Sequence, residues 1–222
     1  MGLKETVNGQ KNVELFFNLL EKDGQLKEEV VSLFGYKHKD LLSYQVIGGA
    51  GKPDAVFKVD DEEKILELKK ISSAVNSIKS MSYLNPLISN LYNFNEVKDN
   101  FSLWLRERSI PFKDGLIEFF NTNFDSLFDV IFDSDLYSFT DFEKQKIYLI
   151  SKNVFKQYFT KNMNIALNTK GTSFRFDKQG FLNIKKKGGG SGPETLVFYL
   201  SFNKDVMAFF ESNKEISKIS FN

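Results

Sequence analysis

Residues 51–70 read GKPDAVFKVDDEEKILELKK, and their periodicity decides the fold class. From Asp54 to Val59, and again from Lys64 to Lys69, apolar and polar side chains alternate as they do along a β-strand. The acidic run Asp60, Asp61, Glu62, Glu63 between them has the length of a longer hairpin loop rather than a two-residue turn. On this reading Leu66 and Leu68 point into the core. Glu67 and Lys69 share the other face with Ile65, and Asp54 shares a face with Val56 and Lys58. Pairing the strands brings Asp54 beside Glu67 and Lys69 at one end of the hairpin.

Upstream, Tyr44 to Ile47 reads as a further strand, separated by Gly48, Gly49, Gly51 and Pro53. Before it, Gln10 to Glu21 carries Val13, Phe16, Phe17, Leu19 and Leu20 at helical spacing, and Leu26 to Phe34 reads as a second helix. Downstream, residues 77–162 return to helical spacing, for example Phe101, Leu103, Trp104 and Leu105, then Ile147, Leu149, Ile150, Val154, Phe155 and Tyr158. Four or five helices are expected there. Ser173 to Phe176, Phe181 to Lys187 and Leu196 to Phe202 are strand-like, with the loop GGGSG between the last two and a short helix around Lys204 to Ser212. The expected class is α/β, as a single domain over residues 1–222 with its central hairpin at about 44–70.

Composition narrows the chemistry. The chain has no cysteine, which excludes disulfides, zinc ribbons, iron–sulfur clusters and thiolate nucleophiles. The one histidine, His38 in YKHKD, reads as a surface residue, so a metal here would be a hard cation held by oxygen. A net charge of +1 argues against indiscriminate coating of nucleic acid, yet the charge is uneven along the chain. Lysine and arginine dominate residues 141–190, whereas acids dominate 113–136 (Asp114, Glu118, Asp125, Asp129, Asp133, Asp135). That asymmetry suits a basic face toward a polyanion, and equally suits ordinary solvated faces. No apolar run approaches the roughly 20 residues of a membrane span, and MGLKETVNGQK lacks a signal-peptide apolar stretch; a cytoplasmic protein with no membrane partner is expected.

Two carboxylates and a lysine converging on one hairpin suit Mg²⁺-dependent phosphodiester hydrolysis, which needs hard oxygen ligands and a group to orient the attacking water. Asp54 and Glu67 would bind the metal with the Leu68 carbonyl as third ligand, and Lys69 would position the water. Mn²⁺ is expected to substitute for Mg²⁺. A charged hairpin on a protein surface would show the same letters. Glu14, on the first helix, is a further carboxylate within the same chemistry or a solvated residue.

The pattern Pro53-Asp54, twelve residues, then Glu67-x-Lys69 resembles the PD-(D/E)xK nuclease signature. Three segments are similar to the HinP/MspI group of type II restriction endonucleases in that superfamily: VIGGAGKPDAVFKV, ILELKKISSAVNSIK and NIKKKGGGSGPETLVFYLSF. Glu67 departs from the group, which carries an amide at that position, while agreeing with the wider signature. The resemblance implies a mixed sheet flanked by helices, with a helical middle segment and DNA-contacting strands at about 172–203. It also implies cleavage of a short palindromic site in double-stranded DNA, four base pairs and GC-containing, leaving 5′-phosphates, with a cognate DNA methyltransferase protecting that site. DNA contacts are implied at Ser72, Ser73, Val75, Asn76 and Ser77, where Val75 would wedge at a base step, and at Lys185, Lys186, Lys187, Gly188, Gly189, Glu194 and Thr195. The glycines of that second segment let backbone N–H groups approach phosphates, and its lysines add cationic donors; a solvated hairpin tip has the same composition. Two other classes stay open. A repair nuclease of the same fold would cut by DNA structure, and a non-catalytic DNA-binding protein would bind without Mg²⁺ and hydrolyse nothing.

Overall fold

The alternation over residues 55–70 folds into the middle of a mixed sheet flanked by helices. The computed structural model describes residues 2–37, 43–47, 53–59, 61–71, 76–80, 117, 120–167, 173–186 and 196–221. Two helices come first, α1 (Gly2–Lys22) and α2 (Gly24–Leu33), then the strands β1 (Ser43–Val46), β2 (Ala55–Val59), β3 (Glu62–Lys70) and β4 (Asn76–Ser80). After α3 (Phe124–Ile131) come β5 (Leu136–Asp141), β6 (Lys146–Ser151), α4 (Lys152–Asn162) and β7 (Met163–Leu167). The chain continues with β8 (Phe174–Asp177), β9 (Leu182–Lys186), β10 (Leu196–Leu200), α5 (Lys204–Ser212) and β11 (Ser217–Ser220). No described helix is long and apolar enough to cross a membrane.

Two compact units emerge. The first comprises Met1–Ser73, Asp133–Phe155 and Ala208–Asn222, and the second Ala74–Phe132 and Lys156–Met207. The first contains a six-stranded sheet in the order β1-β2-β3-β5-β6-β11, in which β3 and β5 run parallel and the remaining neighbours antiparallel. One face is apolar at every second residue: Ala55, Phe57 and Val59 on β2, Leu66 and Leu68 on β3. It packs with Phe16, Phe17 and Leu20 of α1 and with Leu26 and Val30 of α2. Phe17 stacks on Tyr44 of β1 at 4.7 Å and lies 6.3 Å from Phe57. Opposite, Tyr137 and Phe139 of β5 meet Phe155 at 5.3 and 6.0 Å, and Phe139 and Tyr148 meet Phe210 at 5.7 and 5.5 Å. The α2 boundaries follow local chemistry. Asp23 caps its start by accepting from Gln25 N at 2.8 Å. Gly35, at φ 89°, ends it in a Schellman motif, with Tyr36 N donating to Val31 O and Gly35 N to Ser32 O.

The second unit is built on an antiparallel sheet in the order β4-β10-β9-β8-β7. Its interior is phenylalanine-rich: Phe120 packs on Phe174 and Phe176, and Phe159 lies against Phe128, Phe132 and Phe181. At the β8–β9 turn, the buried Asp177 carboxylate accepts from Phe181 N, Leu182 N and the Tyr158 hydroxyl at 3.0, 2.9 and 3.2 Å.

Several expectations are corrected. The middle segment is not uniformly helical: residues 76–80 are strand, and Leu136–Asp141 and Lys146–Ser151 form a hairpin. All six β5 residues and Ile147 to Ile150 are buried, so this hairpin lies in apolar surroundings on both faces and loses the alternation that marks a strand. Its loop also lacks glycine and proline. The turn is made instead by Asp141, which accepts from Glu143 N and Lys144 N, and by Gln145 at φ 52°. The acidic tip is not a longer loop: Val59 pairs with Glu62 and Lys58 with Glu63, so the second half of the acidic run lies in the ladder. Glu62 and Glu63 are strand residues, held by ion pairs to Lys64 at 2.6 Å and to Lys58 at 3.8 Å. β7 and β11 had no counterpart in the sequence reading, whereas the helix expected at Lys204 to Ser212 has those bounds.

Candidate active site

Register assembles the first constellation. Val46 pairs with Ala55, Ala55 with Leu66, and Leu66 with Leu136. The next residue along each strand is Ile47, Asp54, Glu67 or Tyr137, so these four form one row across the sheet, on the face opposite α1 and α2. Glu67 stands beside Tyr137, and Lys69, two residues on, beside Phe139.

Asp54 is fixed at both ends. Its carbonyl accepts from Ile47 N at 3.0 Å, and its carboxylate Oδ2 accepts from Leu68 N at 2.8 Å. The β2–β3 ladder ends at Ala55, and Pro53 has no N–H to extend it, so the Asp54 side chain takes over as acceptor where the backbone diverges. The N–H and C=O of one strand residue leave on the same side, so the Leu68 carbonyl is directed toward this same edge of β3. On the opposite edge Asp135 does the equivalent work, accepting from Ile65 N at 2.7 Å just ahead of the parallel β3–β5 pairing. β3 is thus held in register by a carboxylate on each side.

Lys69 Nζ donates to Glu67 Oε1 and forms an ion pair with it. Burial pushes the Glu67 carboxyl above the usual carboxylate range; the Lys69 charge opposes that shift, and the negative charges of Asp54 and Asp133 add to it. Burial likewise raises the Tyr137 hydroxyl, which accepts from Ser134 N at 3.2 Å, with smaller upward contributions from Asp133 and Glu67. Among the described residues no three histidine or acidic side chains converge as metal ligands, so a cation here would take two carboxylates plus backbone oxygen or water. The donors fit a hard cation: they are all oxygen, and the charge of such an ion would offset the burial, and the lesser repulsion from Asp54 and Asp133, that hold the Glu67 carboxyl up. Asp54, Glu67 and the Leu68 carbonyl are the residues that would hold it. Glu14 is exposed on α1, the helix covering the other face.

The second constellation is more dispersed. Ser72, Ser73, Val75, Lys187, Gly188, Gly189, Glu194 and Thr195 lie outside the described residues, as does His38. Asn76 and Ser77 open β4, paired with Leu200 and Tyr199, while Lys185 and Lys186 end β9, paired with Val197 and Leu196. Both segments therefore belong to one sheet, on either side of β10. They sit at opposite ends of it: Asn76 and Lys186 are separated along β10 by the step from Leu200 to Leu196, roughly 13 Å.

Asp133, Asp135 and Tyr137 escaped the sequence reading as neighbours of the site. The first two stood out only as part of an acidic stretch. Nothing in local spacing indicates that residue 137 pairs with residue 67 in a parallel ladder.

The chain matches no protein-family model, no curated protein and no solved structure.

Proposed function

We propose that the chain is a PD-(D/E)xK endonuclease, a type II site-specific deoxyribonuclease making Mg²⁺-dependent double-strand cuts at a short palindromic DNA site. The observation that carries the reading is the hydrogen bond from Leu68 N to the Asp54 carboxylate, which draws the first carboxylate of the motif against the strand bearing Glu67 and Lys69. Fourteen positions separate Asp54 from Leu68, so the contact joins the two halves of the motif across the hairpin rather than along one strand.

Asp54, Glu67 and the Leu68 carbonyl would bind Mg²⁺, which when bound supplies charge neutralisation at the scissile phosphate. Lys69 orients the attacking water and stabilises charge developing on the phosphoryl oxygens. Attack by the water in line with the 3′ oxygen would form the new P–O bond as the P–O3′ bond breaks; the water would give a proton to solvent, the departing oxygen would take one from solvent, and the products would carry 5′-phosphate and 3′-hydroxyl ends. The segments 72–77 and 185–195 would contact the duplex. A methyltransferase of the same sequence specificity would protect host DNA, and the target would be four base pairs and GC-containing.

The test is incubation of the protein with plasmid DNA and Mg²⁺, followed by sequencing of the ends. Discrete fragments sharing one terminal sequence, lost in Asp54→Ala and Lys69→Ala, are expected. A uniform smear or cuts confined to branched DNA would replace site-specific cleavage by structure-directed cleavage. Intact plasmid at every Mg²⁺ and Mn²⁺ concentration would sink the nuclease reading.

A further inference from the structure

Glu67 and Lys69 share one face of β3, and the Lys69 ammonium is paired with Glu67 Oε1. Their side chains are 18% and 22% exposed, so the pair is largely shielded from water and salt. Glu67 also feels the negative charge of Asp54 and Asp133. It is thus the shared carboxylate of a crowded acidic neighbourhood, and its cationic partner Lys69 is the lysine that the proposed reaction needs elsewhere.

We infer that Lys69 is the resident counter-ion of the Asp54–Glu67 pair: without a divalent cation its ammonium occupies Glu67, and a cation bound by the two carboxylates expels it. The inference rests on the metal-site reading above. An ammonium and a divalent cation cannot both sit against one carboxylate oxygen without strong repulsion, because two like charges a few ångströms apart in a partly shielded site repel by several times their value in water. Lysine suits the exchange, since its charge is carried on a flexible four-carbon stem that swings free without moving the strand.

Two consequences follow. Loading of the cation and release of Lys69 toward the water are one event, so the lysine becomes competent only in a loaded site. Lys69 also lowers the affinity of the empty site for the cation it works with. Loss of the lysine should therefore tighten metal binding even while it abolishes cleavage, the opposite of what a lysine that only supports the site would do.

The experiment uses the full chain without DNA and Mn²⁺ as the probe, with free Mn²⁺ read by its paramagnetic resonance signal. Lys69→Met is expected to bind Mn²⁺ about tenfold more tightly than the unsubstituted protein. Lys69→Arg is expected to bind more weakly, because a guanidinium grips a carboxylate in two places. An unchanged or weaker dissociation constant for Lys69→Met overturns the inference while leaving the metal site standing. Saturable binding by none of the three proteins overturns the metal site itself. A readout that needs no substituted chain is acetylation of Lys69 followed by mass spectrometry. Its rate should rise severalfold when Mn²⁺ saturates the site, and a constant rate would count against the exchange.

Discussion

Replacing Asp54 by asparagine separates its two roles. The carboxylate accepts from Leu68 N at 2.8 Å, and the amide oxygen of asparagine can accept the same bond. A hydrogen bond to a charged acceptor contributes about 1.5–3 kcal/mol and one to a neutral acceptor about 0.5–1.5 kcal/mol, so the exchange costs about 1 kcal/mol. Relief of the repulsion between Asp54 and Glu67 offsets part of it. Asp54→Ala is different, because it leaves the N–H of Leu68, a residue 6% exposed, without its side-chain acceptor at a cost of about 1–3 kcal/mol. Scanning calorimetry without metal should therefore rank the proteins unsubstituted, asparagine, alanine. Mg²⁺ at a hundred times its dissociation constant stabilises a binding protein by about 2.7 kcal/mol, which in a chain of this size raises Tm by roughly 5–11 °C. Both variants should lose that rise, and both should lose cleavage. A Mg²⁺-dependent rise retained in Asp54→Asn would refute the ligand assignment. Equal destabilisation by asparagine and alanine would refute the hydrogen-bond argument.

Three further outcomes are expected. Because the Glu67 carboxyl is held above its usual range, the folded protein binds its proton more tightly than the unfolded chain. Without metal, stability should be greatest below the ordinary glutamate range and fall as pH rises through the folded-state value; a chemical-denaturation series in Glu67→Gln should lack that component. Phe57→Ala, at a fully buried position packed on Phe17, Phe34 and Tyr44, should cost about 3–5 kcal/mol in urea unfolding, and a cost under about 1 kcal/mol would contradict the packing. Asp177→Ala removes the acceptor of Phe181 N and Leu182 N in the buried β8–β9 turn and should cost about 1–3 kcal/mol or more, seen as faster amide hydrogen exchange at those two residues; unchanged protection there would rule the role out.

The hairpin was legible because one of its faces is buried and the other is not. Ala55, Phe57 and Val59 alternate with Val56 and Lys58, and Leu66 and Leu68 with Glu67 and Lys69. That contrast is recorded in the residues themselves, and so were the candidate site residues, since Asp54, Glu67 and Lys69 follow once the two strands pair. The length of the connection was not legible. Four consecutive acids look like a loop until the cross-strand register recruits Glu62 and Glu63 into β3 and their charges are met by lysines on the same hairpin. The β5–β6 hairpin was hidden for the opposite reason. With both faces buried its apolar run has no period to read, and its turn relies on Asp141 and Gln145 rather than on glycine.

By itself, then, the sequence determined the short-range features: which residues alternate along the hairpin, and that any metal chemistry must be done with oxygen. Only the tertiary structure decided which neighbours those residues acquire. The parallel pairing of β3 with β5 brings Tyr137 to Glu67, and Asp133 within electrostatic reach of it, across a gap of some seventy residues. The antiparallel sheet of the second unit sets Asn76 and Lys186 at opposite ends of β10, on the two strands that flank it. The physical reason is common to both cases. A strand's side chains are ordered by the period of its own backbone, whereas the identity and register of its partner are settled by hydrogen bonds and burial between segments far apart in the chain.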